Sequence, residues 1–285
     1  MQGAGHGPRG ARTAALLASL TLALAPSAAA TPSAYDHAVR IASWGPRPAA
    51  SAAEQRAQRY VADSFRRGGL AVSVQRFAVP GRGPSRNLIG HYDGPGSCLH
   101  VVMAHSDTTP NAPGANDNAS GLGVLAALAG RVGRRYPTRC DVSLVTTGAE
   151  ERIYTGSPDH LGALALARRI RAGRRADLRI ALSLDEVGRD RPFWLRSPAP
   201  APRAAVEGRL LRAGRDAGVP VSWVRDESTG NSDHREFELL GLPAAKLGVG
   251  AGGEPCRHSP CDRPSRLDPG SLRQARRLVE QALRR

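Results

Sequence analysis

Apolar residues recur at helical spacing from residue 51 onward, with Ala53, Ala57, Tyr60, Val61 and Phe65 on one face. Ser51, followed three places later by Glu54, is a capping box that starts this helix, and Gly68-Gly69 stops it. Leu70 to Val79 is rich in valine and reads as a strand. A Pro/Gly loop over 80–84 turns the chain into a second strand near Asn87 to Tyr92, and the pair predicts an antiparallel edge. The rhythm then changes. Leu99 to Ala104 is a short, almost unbroken apolar run, the pattern of a strand buried on both faces. It is followed by a small-residue helix, Ser120 to Val132, a strand, Val142 to Thr147, a helix, Ser157 to Ile170, and a strand, Leu178 to Leu184. Further helices at Arg203 to Ala217 and Ser271 to Arg285, and strands near Val219 to Val224 and Pro243 to Leu247, complete the pattern. Such alternation predicts an α/β fold, a mixed, mostly parallel central sheet flanked by helices on both faces. No internal repeat or long linker interrupts it, so residues 31–285 are expected to form one domain.

Residues 1–30 stand outside that rhythm. Arg9 and Arg12 precede an apolar run from Ala14 to Ala25, and Ala28-Ala29-Ala30 supplies a small-residue cleavage site, the layout of a signal peptide. The run is too short for a bilayer, which takes about 20 residues of helix. The expected product is cleaved near Ala30, exported, and free of membrane. Composition agrees: among 285 residues, 41% hydrophobic and 23% charged describe a soluble globular chain. The formal charge is +15, and all but one of the 40 basic residues are arginine, Lys246 being the exception. That bias, with the abundance of Ala, Gly and Pro, reads as a compositional habit and not as a binding code. Arg168 to Arg175 holds a dense run of arginines, but aromatics are 4% and no recognition motif accompanies it. Nucleic acid is not an expected partner.

Export changes the meaning of the four cysteines, Cys98, Cys140, Cys256 and Cys261. Three pairings are possible. Cys256 with Cys261 would close a tight loop around His258, and Cys98 and Cys140 each open an apolar run, so these two bridges are favoured. No pair has the C-x-x-C spacing of a zinc knot.

The candidate chemistry sits where the central strands end. The first delivers His105-Ser106-Asp107, the second Glu150-Glu151 after Gly148-Ala149, and the third Asp185-Glu186. In an open α/β sheet, the crevice beyond the carboxyl ends of the strands is the usual ligand site. Asp117 stands just ahead of a helix start, and His258 lies in a late loop. Carboxylates gathered in one cleft repel one another and are costly to desolvate, and divalent cations remove that difficulty. A His and carboxylate set without thiolate suits zinc, and the surplus over the three protein ligands of one catalytic zinc suits a bridged pair. Asp107, two residues beyond His105, can reach back to that ring.

These strings, together with Gly114 to Gly121, Ser232-Asp233-His234 and His258-Ser259-Pro260-Cys261-Asp262, resemble the co-catalytic two-zinc aminopeptidases, metallopeptidase family 28. The resemblance runs in order from about Trp44 to the C-terminus. It implies two Zn2+ per chain, one held by His105 and Asp185, the other by Glu151 and His258, with Asp117 bridging. It implies Glu150 as general base, Asp107 orienting His105, and peptides with a free N-terminus as substrates. Relatives can carry a tyrosine before the last histidine as oxyanion donor. Here Arg257 occupies that place and could serve the same oxyanion. Arg235 likewise stands where a less polar residue would be expected. Asp233 and His234 are expected to shape the pocket or cap a helix, Glu186 to turn away from Asp185, and His37, His91, His100 and His160 to be ordinary surface or core histidines. A monomer is expected. Other functions remain open: on the same fold a glutaminyl cyclase-like acyltransferase or a binding ectodomain without catalysis, and also a carboxypeptidase-like or amidohydrolase variant.

Overall fold

The computed structural model of the chain describes residues 1–5, 7, 31–133, 137–152, 159–189, 192–226, 230–249 and 253–284. The chain divides into two units, Met1–Thr31 and Pro32–Arg285. Arg9, Arg12, the apolar run and the cleavage site near Ala30 lie outside the described residues.

The second unit begins with helix α1 (Ala34–Ala42), started by a reciprocal capping box between Ser33 and Asp36. Sequence reading had no element here. Helix α2 (Ala52–Arg67) starts at Ser51 as expected, but its Glu54 carboxylate reaches the Ala50 N–H at 2.7 Å rather than that of Ser51. Strands β1 (Ala71–Val79) and β2 (Gly83–Tyr92) pair antiparallel. Then come β3 (Leu99–His105), helix α3 (Ser120–Val132), β4 (Asp141–Thr147), α4 (Leu161–Gly173) and β5 (Leu178–Leu184). Next are β6 (Phe193–Ser197), α5 (Glu207–Ala217), β7 (Val221–Arg225), the short α6 (His234–Leu239), β8 (Ala244–Gly248) and α7 (Pro269–Leu283). Strand β6 was not anticipated, and the start expected for α4 at Ser157 lies outside the described residues.

The eight strands form one sheet in the order β1-β2-β4-β3-β5-β8-β6-β7. Its four central strands, β4, β3, β5 and β8, run parallel to one another. Apolar side chains of β3 point to both faces, alternating with the pleat, and His100 is buried among them. Val102 and Ala104 pack with α1, α2, α3, α5 and α7, whereas Val101 and Met103 pack with α4 and Phe237 of α6. The sheet is thus covered on both sides, an α/β fold of a single domain. Helix α3 is built of small residues because it must come close. A Cβ at Gly121 would lie 2.5 Å from the Leu184 carbonyl oxygen, and one at Gly123 would lie 2.4 Å from that of Ala34. The structure pairs Cys98 with Cys140 and Cys256 with Cys261. The first joins the segment before β3 to that before β4, and the second closes the loop around His258.

Candidate metal centre

Parallel strands β4, β3 and β5 point their carboxyl ends at the same place. His105 is the last residue of β3, Asp185 follows β5, and Glu150 and Glu151 follow β4 across Gly148-Ala149. Asp117 comes from the turn Ala115–Ala119 that leads into α3, and Asp262 fastens that turn. Its carboxylate accepts the Asn116 N–H at 2.8 Å and the Asp117 N–H at 3.0 Å, and its carbonyl accepts the Ala115 N–H. Because Asp262 directly follows the Cys256–Cys261 bridge, the loop bearing His258 is tied to the loop bearing Asp117.

Asp117 has one oxygen facing each side. Its Oδ1 lies 3.1 Å from His105 Nε2 and its Oδ2 lies 3.4 Å from His258 Nε2. On the first side Asp185 Oδ1 is 3.5 Å from His105 Nε2, and on the second Glu151 Oε2 is 3.0 Å from His258 Nε2. All but His258 are buried. The His105 Nδ1 faces the carbonyl oxygen of Asp107 at 3.1 Å, and a carbonyl can only accept. Nδ1 therefore donates, and Nε2 is turned towards the carboxylates. The carboxylate of Asp107 also lies 3.8 Å from His105 Nδ1 and accepts the N–H groups of Glu150 and Glu151, each at 3.0 Å. Asp107 thus meets the His105 ring through its backbone and its carboxylate, and its side chain also fixes the strand end that carries both glutamates.

The electrostatics calls for positive charge. Burial, then the charges of Glu151, Asp185 and Asp233, hold the Glu150 carboxyl well above its ordinary range, against the pull of His105. Burial and the Asp117 charge push Glu151 up to about 7. Burial alone would lower the His105 pKa, but Glu150, Asp117 and Asp185 around it raise it well above its ordinary value. Asp117 and Glu151 raise His258 to about 10. A cation among these groups would relieve the crowding of carboxylates that produces these shifts. Two buried carboxylate oxygens lack a hydrogen-bond partner: Glu151 Oε1, and Asp185 Oδ1, which has only the His105 ring at 3.5 Å. Unpaired buried acceptors among imidazoles, with no thiolate present, fit an oxygen- and nitrogen-binding divalent ion such as zinc. His105, Asp117 and Glu151 form one group able to hold an ion, and His105, Glu150 and Asp185 form another.

The sequence profile of Peptidase family M28 matches residues 87–283. The chain belongs to this family. Aminopeptidase YwaD of Bacillus subtilis (strain 168) is 29% identical over 215 residues, covering 70% of this chain and 44% of YwaD. The chain spans less than half the length of the relatives it matches. Among solved structures, BSAP, a zinc aminopeptidase from Bacillus subtilis, superposes with a TM-score of 0.77 at 18% identity, over 87% of this chain and 93% of that one. A Bacteroides thetaiotaomicron glutaminyl cyclase superposes with a TM-score of 0.75 at 20% identity, over 88% and 96%. These likenesses are of fold.

Several residues of this M28 chain have partners that sequence reading did not foresee. Lys246, the sole lysine, is buried and its Nζ donates to Asp185 Oδ2 at 2.7 Å. That leaves Oδ1 as the Asp185 oxygen turned to His105. Glu186 does not turn away, as expected for the neighbour of a strand-end residue. Its φ of 62° reverses the alternation, so its buried carboxylate lies 3.9 Å from the same Lys246. There it accepts two bonds from Arg257, at Nε and Nη2. Arg257 is thus fastened to Glu186 at the wall of a cavity of about 560 Å3 that Asp117, Glu150, Glu151, Asp185 and His258 also line. Asp233 caps nothing with its side chain; it accepts the Thr147 hydroxyl at 2.5 Å, and His234 Nε2 meets Asp226 at 2.7 Å. His160 is no ordinary core histidine, because it lines the cavity beside Glu150. Its only advance sign was an imidazole nine residues beyond two adjacent glutamates.

Proposed function

We propose that this chain is an exported metallo-aminopeptidase that takes peptides with a free N-terminus and carries two zinc ions. The observation that bears this reading is Asp117, whose two oxygens face two separate imidazoles, each accompanied by its own carboxylate. His105 and Asp185 would hold one ion, Glu151 and His258 the other, and Asp117 would be shared. When bound, such a pair supplies Lewis acidity to the scissile carbonyl and makes a water acidic enough to attack at neutral pH. Glu150 is placed to take a proton from that water and would pass it to the leaving amine. Its environment suits the task, since burial holds the carboxyl well above its ordinary range. Asp107 keeps Glu150 and Glu151 in register, and Lys246 holds Asp185. Arg257, anchored by Glu186, is the residue we assign to the charge developing on the carbonyl oxygen. The two disulfides and the N-terminal pattern around Arg9, Arg12 and Ala30 support export. Among the described residues no helix is long and apolar enough to cross a membrane.

Hydrolysis of aminoacyl-p-nitroanilides tests this reading. Activity should need a free α-amine, vanish on chelation, return with zinc, and fall about a hundredfold or more in Glu150→Gln. Activity that survives both chelation and Glu150→Gln would end it. The fold is shared with glutaminyl cyclases, so N-terminal glutamine peptides should be included: cyclisation without chain cleavage would favour acyl transfer instead. The full set of five ligand side chains speaks for the two-ion hydrolase.

A further inference from the structure

His160 belongs to neither half of the ligand set, yet three backbone bonds bring it to the catalytic glutamate. The N–H groups of His160, Leu161 and Gly162 donate to the carbonyls of Glu150, Ala149 and Gly148 at 3.3, 2.9 and 3.0 Å. They close the start of α4 onto the end of β4, with His160 in the left-handed region at φ 49°. The ring is buried between two carboxylates: Nε2 lies 3.4 Å from Glu150 Oε1 and Nδ1 lies 3.3 Å from Glu236 Oε1. Behind Glu236, Arg235 Nη1 donates to Glu236 Oε1 at 2.8 Å and to Asp159 Oδ1 at 2.9 Å. Arg152 Nε in turn donates to Asp159 Oδ2 at 2.6 Å. Two arginines and two carboxylates therefore alternate along Arg152, Asp159, Arg235 and Glu236, and the His160 ring joins that row to Glu150. Two arginines already neutralise the cluster of Asp159, His160 and Glu236, so it has no need of a third metal. It also gives a use to Arg235, the charge that looked out of place in the sequence.

We propose that His160, anchored by Glu236, is a positioning residue for Glu150. It engages one carboxylate oxygen so that the other is presented for the proton. A free glutamate side chain samples many rotamers, and ordering it costs entropy. Proton transfer demands a near-attack geometry, and an imidazole held at Nδ1 by Glu236, with Nε2 beside Glu150, imposes it before substrate arrives. This inference rests on the aminopeptidase reading, in which Glu150 is the base.

The test uses the zinc-loaded full chain on an aminoacyl-p-nitroanilide, with zinc content measured for every variant. His160→Ala should lower kcat about 10–100-fold, the usual range for residues that hold a catalytic group in place. KM should stay within about twofold and zinc content should be unchanged. Added imidazole should recover part of the lost kcat, which a residue needed only for packing would not allow. Glu236→Gln should cost less, and cost nothing further in the His160→Ala background. A His160→Ala enzyme with kcat within about twofold of the parent overturns the proposal, as does a loss confined to KM, or a Glu236→Gln effect that adds in full. If His160→Ala does not fold, His160→Gln and Glu236→Gln decide the matter, and parental kcat in both overturns it. Glu150→Gln separates the two claims. A large loss there with none in the His160 variants removes only the positioning role, whereas no loss there removes the base itself and this inference with it.

Discussion

His100 offers a sharp test of how the core is built. It lies in β3 opposite Val142 of β4 and Ile180 of β5, fully buried, and neither ring nitrogen has a hydrogen-bond partner. Burial, then the charges of Arg209 and Arg179, push its pKa down from an ordinary 6.5 to about 3. The unfolded chain takes a proton on this imidazole as pH drops below 6.5, and the folded chain does not until about 3. The stability tied to His100 is therefore complete above pH 6.5 and is lost as the solution becomes more acid, by a factor of ten per pH unit. Down to about pH 5 the loss amounts to about 2 kcal/mol. His37 acts with the same sign, because burial pushes its pKa down to about 4. Its Nδ1 has a partner, the Tyr60 hydroxyl at 2.7 Å. His100→Leu removes one titration and two unpaired polar atoms, and leaving such atoms buried costs about 1–3 kcal/mol. Urea unfolding of parent and variant at about pH 7.5 and about pH 5 measures the difference directly, since groups common to both cancel. The variant should be at least as stable at the higher pH, and its advantage should grow by about 2 kcal/mol at the lower. An advantage that does not change with pH, or a variant weaker at both, would refute the reasoning.

Chelation should lower the melting temperature as well as the activity. An ion present at about a thousand times its Kd stabilises the folded chain by about 4 kcal/mol, so a melting curve indifferent to chelator and to added zinc would contradict a cation-binding cluster. Gly123→Ala should cost about 1–3 kcal/mol, because its Cβ would lie 2.4 Å from the Ala34 carbonyl oxygen and α1 would have to move. Parental stability in chemical denaturation would show that α1 is not pressed onto α3. Replacing both Cys98 and Cys140 by alanine opens a loop of 42 residues and should cost about 4 kcal/mol in the oxidised protein, with kcat retained. A loss of activity at full stability would mean the bridge serves the site and not the fold.

Local pattern was enough for much of the scaffold. The spans Ser120–Val132 and Leu178–Leu184 coincide with α3 and β5, because a small-residue helical face and a twice-buried strand each announce themselves within a few residues. Shorter elements carried too little signal. Helix α1 is nine residues long and β6 five, and each is held in place by neighbours distant in sequence.

The residue types of the site, and their position at strand ends, were determined by the sequence alone, since strand polarity and the pleat put His105, Glu150, Glu151 and Asp185 at one edge of the sheet. Which atom meets which was decided only in three dimensions. A lysine in β8 supports Asp185, an aspartate beyond a disulfide fastens the Asp117 turn, and a positive φ brings Glu186 to Arg257. His160 reaches Glu150 because the backbone of α4 closes back on β4. A side chain's chemistry says what it can donate or accept, but its partner is set by packing between segments far apart in the chain.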